Sequence, residues 1–422
     1  MNIVIRNTIL NGNIINVEIR GDTIYNITNN AIPENDSLIE IDGKNTAISP
    51  FLHNGHTHSP MVLLRGCGDD LELDSWLKER IWPMEAKLTE EDYFWGNRLA
   101  FLEMIKTGTG FFNEMYMNPR NAIEALKGLP LKAQINYPII DGMNEESGRK
   151  QVKECEQFFN TIEISTNVQL GLALHSVYAS SSYSLKWVRD FAAQNKLPIH
   201  IHLSETEKEV TDCRSIHNGK SPVEYLDDMN LLSHRLQAAH AVWLSAKDMD
   251  ILAGTGVITI HNPVSNMKLA TGKAFPYEEL LKRNVPIVLG TDGAASNNNL
   301  DLFEEMKIAA LLQKHHYRDP TLMSSQEIFS IATEKSARIF GTGSGTIKEG
   351  AKADLMLVNL KAVSMIPLTN IVSNLVYSAS GDAVKTLICN GEILMKDRIV
   401  DGEEEIRKNA SICASKLIEG AK

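Results

Sequence analysis

The stretch Pro50-Phe51-Leu52-His53-Asn54-Gly55-His56-Thr57-His58 divides the chain into two kinds of pattern. It reads as a short β-strand ending in His-x-His. Residues two apart on a strand point to the same face, so the imidazoles of His56 and His58 can reach one ion. Three further candidates stand at the C-terminal ends of apolar runs. They are His202 after Leu197-Pro198-Ile199, His240 after Leu236-Gln237-Ala238-Ala239, and Asp292 after Ile287-Val288-Leu289-Gly290-Thr291. In a closed parallel barrel all strand C-termini open on one face, where side chains distant in sequence meet around a ligand. Imidazole nitrogens with one carboxylate oxygen and an open position for water are the donor set of a catalytic divalent metal such as zinc. The five cysteines, Cys67, Cys155, Cys213, Cys389 and Cys413, form no Cys-x-x-Cys pair, which indicates neither a zinc ribbon nor a disulfide framework.

Before Pro50 the sequence reads as short strands at Asn2 to Arg6, Ile14 to Ile19, Thr23 to Ile27 and Leu38 to Ile41, separated by turn signals such as Asn11-Gly12 and Asp42-Gly43. After Pro50, apolar runs alternate with amphipathic helical stretches, the pattern of βα units on a parallel sheet. Eight runs end near His58, Glu114, Ile140, His175, His202, His240, His261 and Asp292, and eight strands close a barrel. A helix is expected after Thr89, an N-cap followed by Glu90, Glu91 and Asp92, with Gly108 at its C-terminal stop. Helical segments from Asp301 to Phe340 precede a return to strands at Asp354 to Asn359 and Ala383 to Leu394, with Asn390-Gly391 as a hairpin turn. The expected fold is α/β: a TIM-like (β/α)8 barrel over residues 50–344 beside a small β-sandwich built from residues 1–49 and 345–422.

With 422 residues, 43% of them hydrophobic, the chain can bury a core of this size. A net charge of −11 argues against nucleic acid, which is bound through clustered Lys and Arg, and leaves a small molecule as the expected ligand. No apolar run approaches the roughly 20 residues that span a bilayer. The start, Met1-Asn2-Ile3-Val4-Ile5-Arg6, lacks the basic flank and apolar core of a signal peptide. Dispersed thiols fit a reducing cytoplasm. The sequence is compatible with a homo-oligomer and does not specify one.

Four segments carry a family likeness: PFLHNGHTHSPMVLLRGCGDDLELD (50–74), IHIHLSETE (199–207), HNPVSNMKL (261–269) and LGTDGAASNNNL (289–300). They resemble the amidohydrolase superfamily, and within it the 5-methylthioadenosine/S-adenosylhomocysteine deaminases and their triazine-hydrolase relatives. The resemblance extends to Gly345 through Asp354. It implies that His56, His58, His202 and Asp292 bind one divalent metal ion, that Glu205 shuttles protons, and that His240 holds water or substrate. It further implies that Trp76, Glu85, Arg149, His175 and Ser296 line the substrate pocket, with Glu85 accepting hydrogen bonds from ribose hydroxyls. The chain departs from the pattern at Asn136-Tyr137-Pro138, where relatives handling the homocysteine-bearing nucleoside have an arginine. It departs again at Phe111-Phe112-Asn113-Glu114, where a small polar segment is usual.

The chemistry follows from the residue types. Such an ion lowers the pKa of bound water from near 16 to about 7. Asp292 and Glu205 then move protons between water, ring nitrogen and leaving amine, and His240 stabilises charge at the attacked centre. Adenosine, methylthioadenosine and S-adenosylhomocysteine are the expected substrates. Removal of a group from guanine, a pterin or a triazine is the alternative chemistry, and a non-catalytic scaffold the alternative of another class. Zinc suits the donors, which also accept iron or manganese. The cytidine-deaminase type needs a Pro-Cys-x-x-Cys motif that is absent. Plainer readings compete: His200 and His53 as interior histidines, Trp76 and Trp82 as core, Arg149 on a solvated helix face, and Gly293 to Asn297 as the tight loop after a ligand strand.

Overall fold

The computed structural model describes residues 2–33 and 38–419, with Asp74 by its backbone alone. Residues 1, 34–37 and 420–422 of the expected terminal unit lie outside the described residues. The chain begins with β1 (Asn2–Leu10), β2 (Asn13–Arg20), β3 (Thr23–Thr28), β4 (Ile39–Asp42) and β5 (Thr46–Pro50). It continues with β6 (Leu52–Thr57), β7 (Thr109–Met115), β8 (Lys132–Ile139), β9 (Val168–Leu174), β10 (Ile199–Leu203), β11 (Leu236–His240), β12 (Ile258–His261) and β13 (Ile287–Leu289). It returns with β14 (Leu355–Asn359), β15 (Val384–Cys389) and β16 (Glu392–Met395).

The middle eight strands pair in parallel in chain order from β6 to β13. Helices cover their outer face. Strand alternation separates the two chemistries: Ile199, Ile201 and Leu203 of β10 join the hydrophobic core, while His200 and His202 face the barrel axis and meet His56 and His58. Ala133 and Ile135 likewise pack outward, and Gln134 and Asn136 point inward to a polar floor with Asn113 and Gln237. The ring closes after β13, where the amides of Thr291 and Asp292 donate to the carbonyl of His56 at 3.1 and 3.0 Å. Two glycines permit that approach. A Cβ on Gly55 would sit 2.8 Å from the Leu289 carbonyl oxygen, and one on Gly290 would sit 2.9 Å from the His56 amide nitrogen.

Both termini form one mixed eight-stranded sheet, in the order β16-β15-β14-β5-β1-β2-β3, with β4 also on β1. The small β unit expected from both termini is one curled sheet in which an edge of β1 is shared: Ile3 to Arg6 pair with β4 and Ile9 pairs with β5. The sheet curls until β3 meets the approach to β14, with Ile24 N donating to Ala351 O at 2.9 Å and Ala353 N to Asp22 O at 2.7 Å. Ile3, Ile5, Val17, Ile19, Ile24, Leu355 and Leu357 fill its interior. The sequence reading missed β5, which runs into β6 across Phe51 with no turn residue between. It also placed the last residues in the β unit. Helix Glu403–Glu419 instead packs on helix Glu90–Lys106, because Ile406, Ala410, Cys413 and Leu417 form one buried stripe. The helix after Thr89 begins with a capping box between Thr89 and Asp92. No helix among the described residues is long and apolar enough to cross a membrane.

Lys132 at the start of β8 pairs with Asp354 ahead of β14, and both are buried. Asp354 also accepts from Ser344 Oγ at 2.5 Å and Asn390 N at 2.7 Å. Replacing Lys132→Met leaves a buried carboxylate without its cation and is expected to destabilise the fold by about 3–5 kcal/mol. Denaturant unfolding checks this, with the midpoint moving down at unchanged slope.

Candidate metal centre and catalytic cavity

His56, His58, His202 and Asp292 are gathered from β6, β10 and the end of β13 so that one ligand atom of each lies within 4.8 Å of the others. Asp292 Oδ1 stands 3.2 Å from His56 Nε2 and 3.1 Å from His58 Nε2, and His58 Nε2 lies 3.3 Å from His202 Nε2. The other ring nitrogens are engaged behind the cluster. His58 Nδ1 donates to the Met115 carbonyl and His202 Nδ1 to the His175 carbonyl at 2.9 Å. His56 Nδ1 meets His200 Nε2 at 3.0 Å. Partners of this kind assign the proton to Nδ1 and turn the Nε2 lone pair toward the cluster. The fit to a divalent cation is good: His56 Nε2 is fully buried without a hydrogen-bond partner, and nitrogen lone pairs facing a carboxylate repel unless a cation lies between them.

The backbone bends sharply at these positions. Asp292, His240 and Ser204 have φ of +60°, +71° and +52°, a left-handed conformation that non-glycine residues adopt at a cost and that clusters at functional sites. Asp292 Oδ2 accepts from Ser265 Oγ at 2.7 Å and Ser296 Oγ at 2.8 Å, leaving Oδ1 for the cluster. Burial lowers His56 to about 4 and His202 well below the ordinary histidine value, which keeps both neutral as ligands must be.

Above the cluster opens a cavity of about 430 Å³. Glu205 and His240 enter it side by side, His240 Nδ1 3.6 Å from Glu205 Oε1 and 2.8 Å from Asn266 Oδ1. Burial raises the Glu205 carboxyl against the pull of His240. Trp76, Glu85, His175 and Ser296 also line the space. Burial raises Glu85 as well, opposed by the Tyr116 hydroxyl, which donates to its Oε1 at 2.6 Å. Leu73, Leu77, Met61, Trp82, Met117, Ile140 and Leu269 add an apolar wall. Among the described residues that line the cavity there is no Lys or Arg.

Arg149 is a correction. It lies exposed on helix Glu145–Thr161, 3.7 Å from Glu145 and over the ring of Tyr183, outside the cavity. That helix turns Gly148, Val152, Cys155 and Phe158 inward, and Arg149 is rotated out to solvent. Several residues that shape the site escaped the sequence reading. Ser265 and Asn266, within the quoted 261–269 segment, orient Asp292 and His240. Glu114 accepts from Ser59 N at 3.0 Å and so fastens the chain just past His58. Trp82, read as core, is 46% exposed and forms part of the cavity wall.

Comparison with known proteins agrees with this architecture. The chain is 46% identical over 383 residues to a 5′-deoxyadenosine deaminase of Methanoregula boonei, covering 90% of this chain and 86% of the relative. It is 42% identical over 390 residues to 5-methylthioadenosine/S-adenosylhomocysteine deaminase 1 of Archaeoglobus fulgidus, covering 92% and 91%. Among solved structures, an adenosine deaminase from Xanthomonas campestris with bound zinc superposes with a TM-score of 0.88 at 29% identity, over 99% of both chains. The profile of the amidohydrolase family matches residues 47–394, from β5 through β16, and the chain belongs to that family.

Proposed function

We propose that this chain is a zinc-dependent aminohydrolase that converts an adenine nucleoside with an uncharged 5′ substituent to its inosine analogue and ammonia. The observation that carries the reading is the placement of Glu205 and Glu85 in one cavity over the four-donor cluster, with apolar walls between them. Its volume suits a small ligand held by a few convergent polar groups. The relatives named for 5′-deoxyadenosine and methylthioadenosine, and the zinc-bound adenosine deaminase, support the same chemistry. Zinc held by His56, His58, His202 and Asp292 supplies Lewis acidity that makes water nucleophilic near neutral pH.

The residues of the chain then divide the work. Asp292 accepts a proton from the attacking water. Glu205, kept protonated more readily by its burial, gives its proton to the ring nitrogen next to the attacked carbon, takes up the hydroxyl proton of the adduct and passes it to the departing amine; the proton on Asp292 then returns to Glu205, so that water is added and ammonia released. His240, fixed through Nδ1 by Asn266, lines the cavity beside Glu205 and stabilises charge at the attacked carbon. Glu85, oriented by Tyr116, accepts from ribose hydroxyls. The 5′ end then meets the apolar wall, where the described lining residues offer no Lys or Arg to the carboxylate of a homocysteine tail. Retention of Glu205 favours an amine over a chloride leaving group, since an amine must be protonated to leave. Five unpaired cysteines suit a reducing cytoplasm as the place of action.

Glu205→Gln is expected to reduce ammonia release ~10²–10⁴-fold while zinc content measured by elemental analysis stays at the wild-type level. Normal turnover in that variant would remove the proton-shuttle assignment. Across adenosine, 5′-deoxyadenosine, methylthioadenosine and S-adenosylhomocysteine, kcat/KM is expected to be lowest for the last by roughly 10-fold or more, because its charged tail enters an apolar wall unpaired. Equal rates for all four would contradict the apolar 5′ subsite. Tyr116→Phe is expected to raise KM for adenosine roughly 2- to 10-fold at little-changed kcat, and to leave a 2′,3′-dideoxy analogue unaffected.

A further inference from the structure

Thr89 with Asp92, Ser221 with Glu224, and Ser245 with Asp248 are reciprocal capping boxes, in which the acid three residues into the helix accepts the amide of the N-cap residue. Thr206 and Glu209 have the same spacing but a different arrangement. Thr206 Oγ1 accepts from Glu209 N at 3.1 Å, as in a box. The Glu209 carboxylate, however, reaches past Thr206 and takes the two preceding amides, Oε1 from Ser204 N at 2.9 Å and Oε2 from Glu205 N at 2.8 Å.

Those two amides belong to the turn that aims Glu205. Ser204 is fully buried in the left-handed conformation, one residue past the end of β10 and between His202 and Glu205. Successive amides around such a turn converge into a concavity that binds an anion, and here the anion is a side chain of the same helix. On the opposite side, the Ser204 carbonyl accepts from Val242 N at 3.1 Å and Trp243 N at 2.7 Å, in the loop that follows His240. The peptide before Glu205 is therefore gripped from both sides. His202 has its own anchor, the His175 carbonyl. Glu209 is 6% exposed and lies outside the cavity lining, so it meets no substrate.

We infer that Glu209 is a positioning residue: by clamping the amides of Ser204 and Glu205 it holds the left-handed turn that points the Glu205 carboxyl over the metal cluster. Its kinetic test rests on the aminohydrolase reading. Glu209→Gln keeps the size of the side chain, but it offers one acceptor instead of two and turns an N–H toward an amide. In the zinc-loaded full chain this variant is expected to lose ~10- to 100-fold in kcat with KM within about twofold and zinc stoichiometry unchanged. Adding Ser204→Gly, which admits the left-handed turn without a side-chain penalty, is expected to return part of the lost kcat. Hydrogen exchange at the Ser204 and Glu205 amides, which needs no substrate, is expected to accelerate in the Gln variant. Wild-type kcat, zinc lost in proportion to activity, or unchanged exchange at both amides would each overturn the assignment. Should the Gln variant fail to fold, Glu209→Asp retains two acceptors on a shorter arm. Reduced kcat at constant KM supports the clamp there, and wild-type kcat overturns it. If the wild-type protein releases no ammonia from any adenine nucleoside, the functional reading fails, and amide exchange still decides for or against the clamp.

Discussion

The carbonyl of His56 accepts hydrogen bonds from the amides of both Thr291 and Asp292, and the geometry of the site depends on that seam. It is the closure of the barrel and the assembly of the metal cluster in one contact. The first strand brings two imidazoles, the last brings the carboxylate, and Gly55 and Gly290 let the two backbones approach where any side chain would collide. Asn54 reinforces the join, its amide bonding Thr291 Oγ1 at 2.7 Å and its oxygen accepting from Thr291 N at 3.1 Å. A metal donor set built across a closure has little freedom to spread, because spreading would open the parallel ladder.

Beneath the seam the barrel axis is polar. Asn113, Gln134, Asn136 and Gln237 bond to one another, and His200 stands between this floor and His56. Such a network is stable only when its members satisfy one another, which ties the orientation of each amide to that of its neighbours. Burial keeps His200 well below the ordinary histidine value and therefore neutral, so its Nε2 can receive the Nδ1 proton of His56. The metal-facing nitrogen of His56 is thus set by His200, which lies beneath the cluster and is not one of its four donors.

The parts of this architecture that follow a local period were legible in the sequence. Alternation along 52–58 and 199–203 placed the histidines inward, and the helix after Thr89 announced itself through its cap and acidic first turn. What was not legible depends on where loops land after folding. Ser265 and Asn266 reach Asp292 and His240 only because β12 lies between β11 and β13. Tyr116 finds Glu85 across two loops. Arg149 shows the reverse error, since a helix rich in charge gives no sign of which turn faces the barrel mouth. The fifth strand was hidden by continuity, because the extended chain passes from one sheet to the other without a turn.

Residues 73–85 carry Trp76, Trp82 and Glu85 on three short helical turns, the middle one π-type, that sit over the mouth rather than in the barrel wall. The four donors, with Glu205 and His240, all come from strand ends elsewhere. The cavity wall therefore draws on this stretch as well as on Met61, Met117, Ile140 and Leu269, whereas the four donors come from strand ends alone. Remodelling those three turns reshapes one side of the cavity mouth without moving any of the strand ends on which the cluster is built.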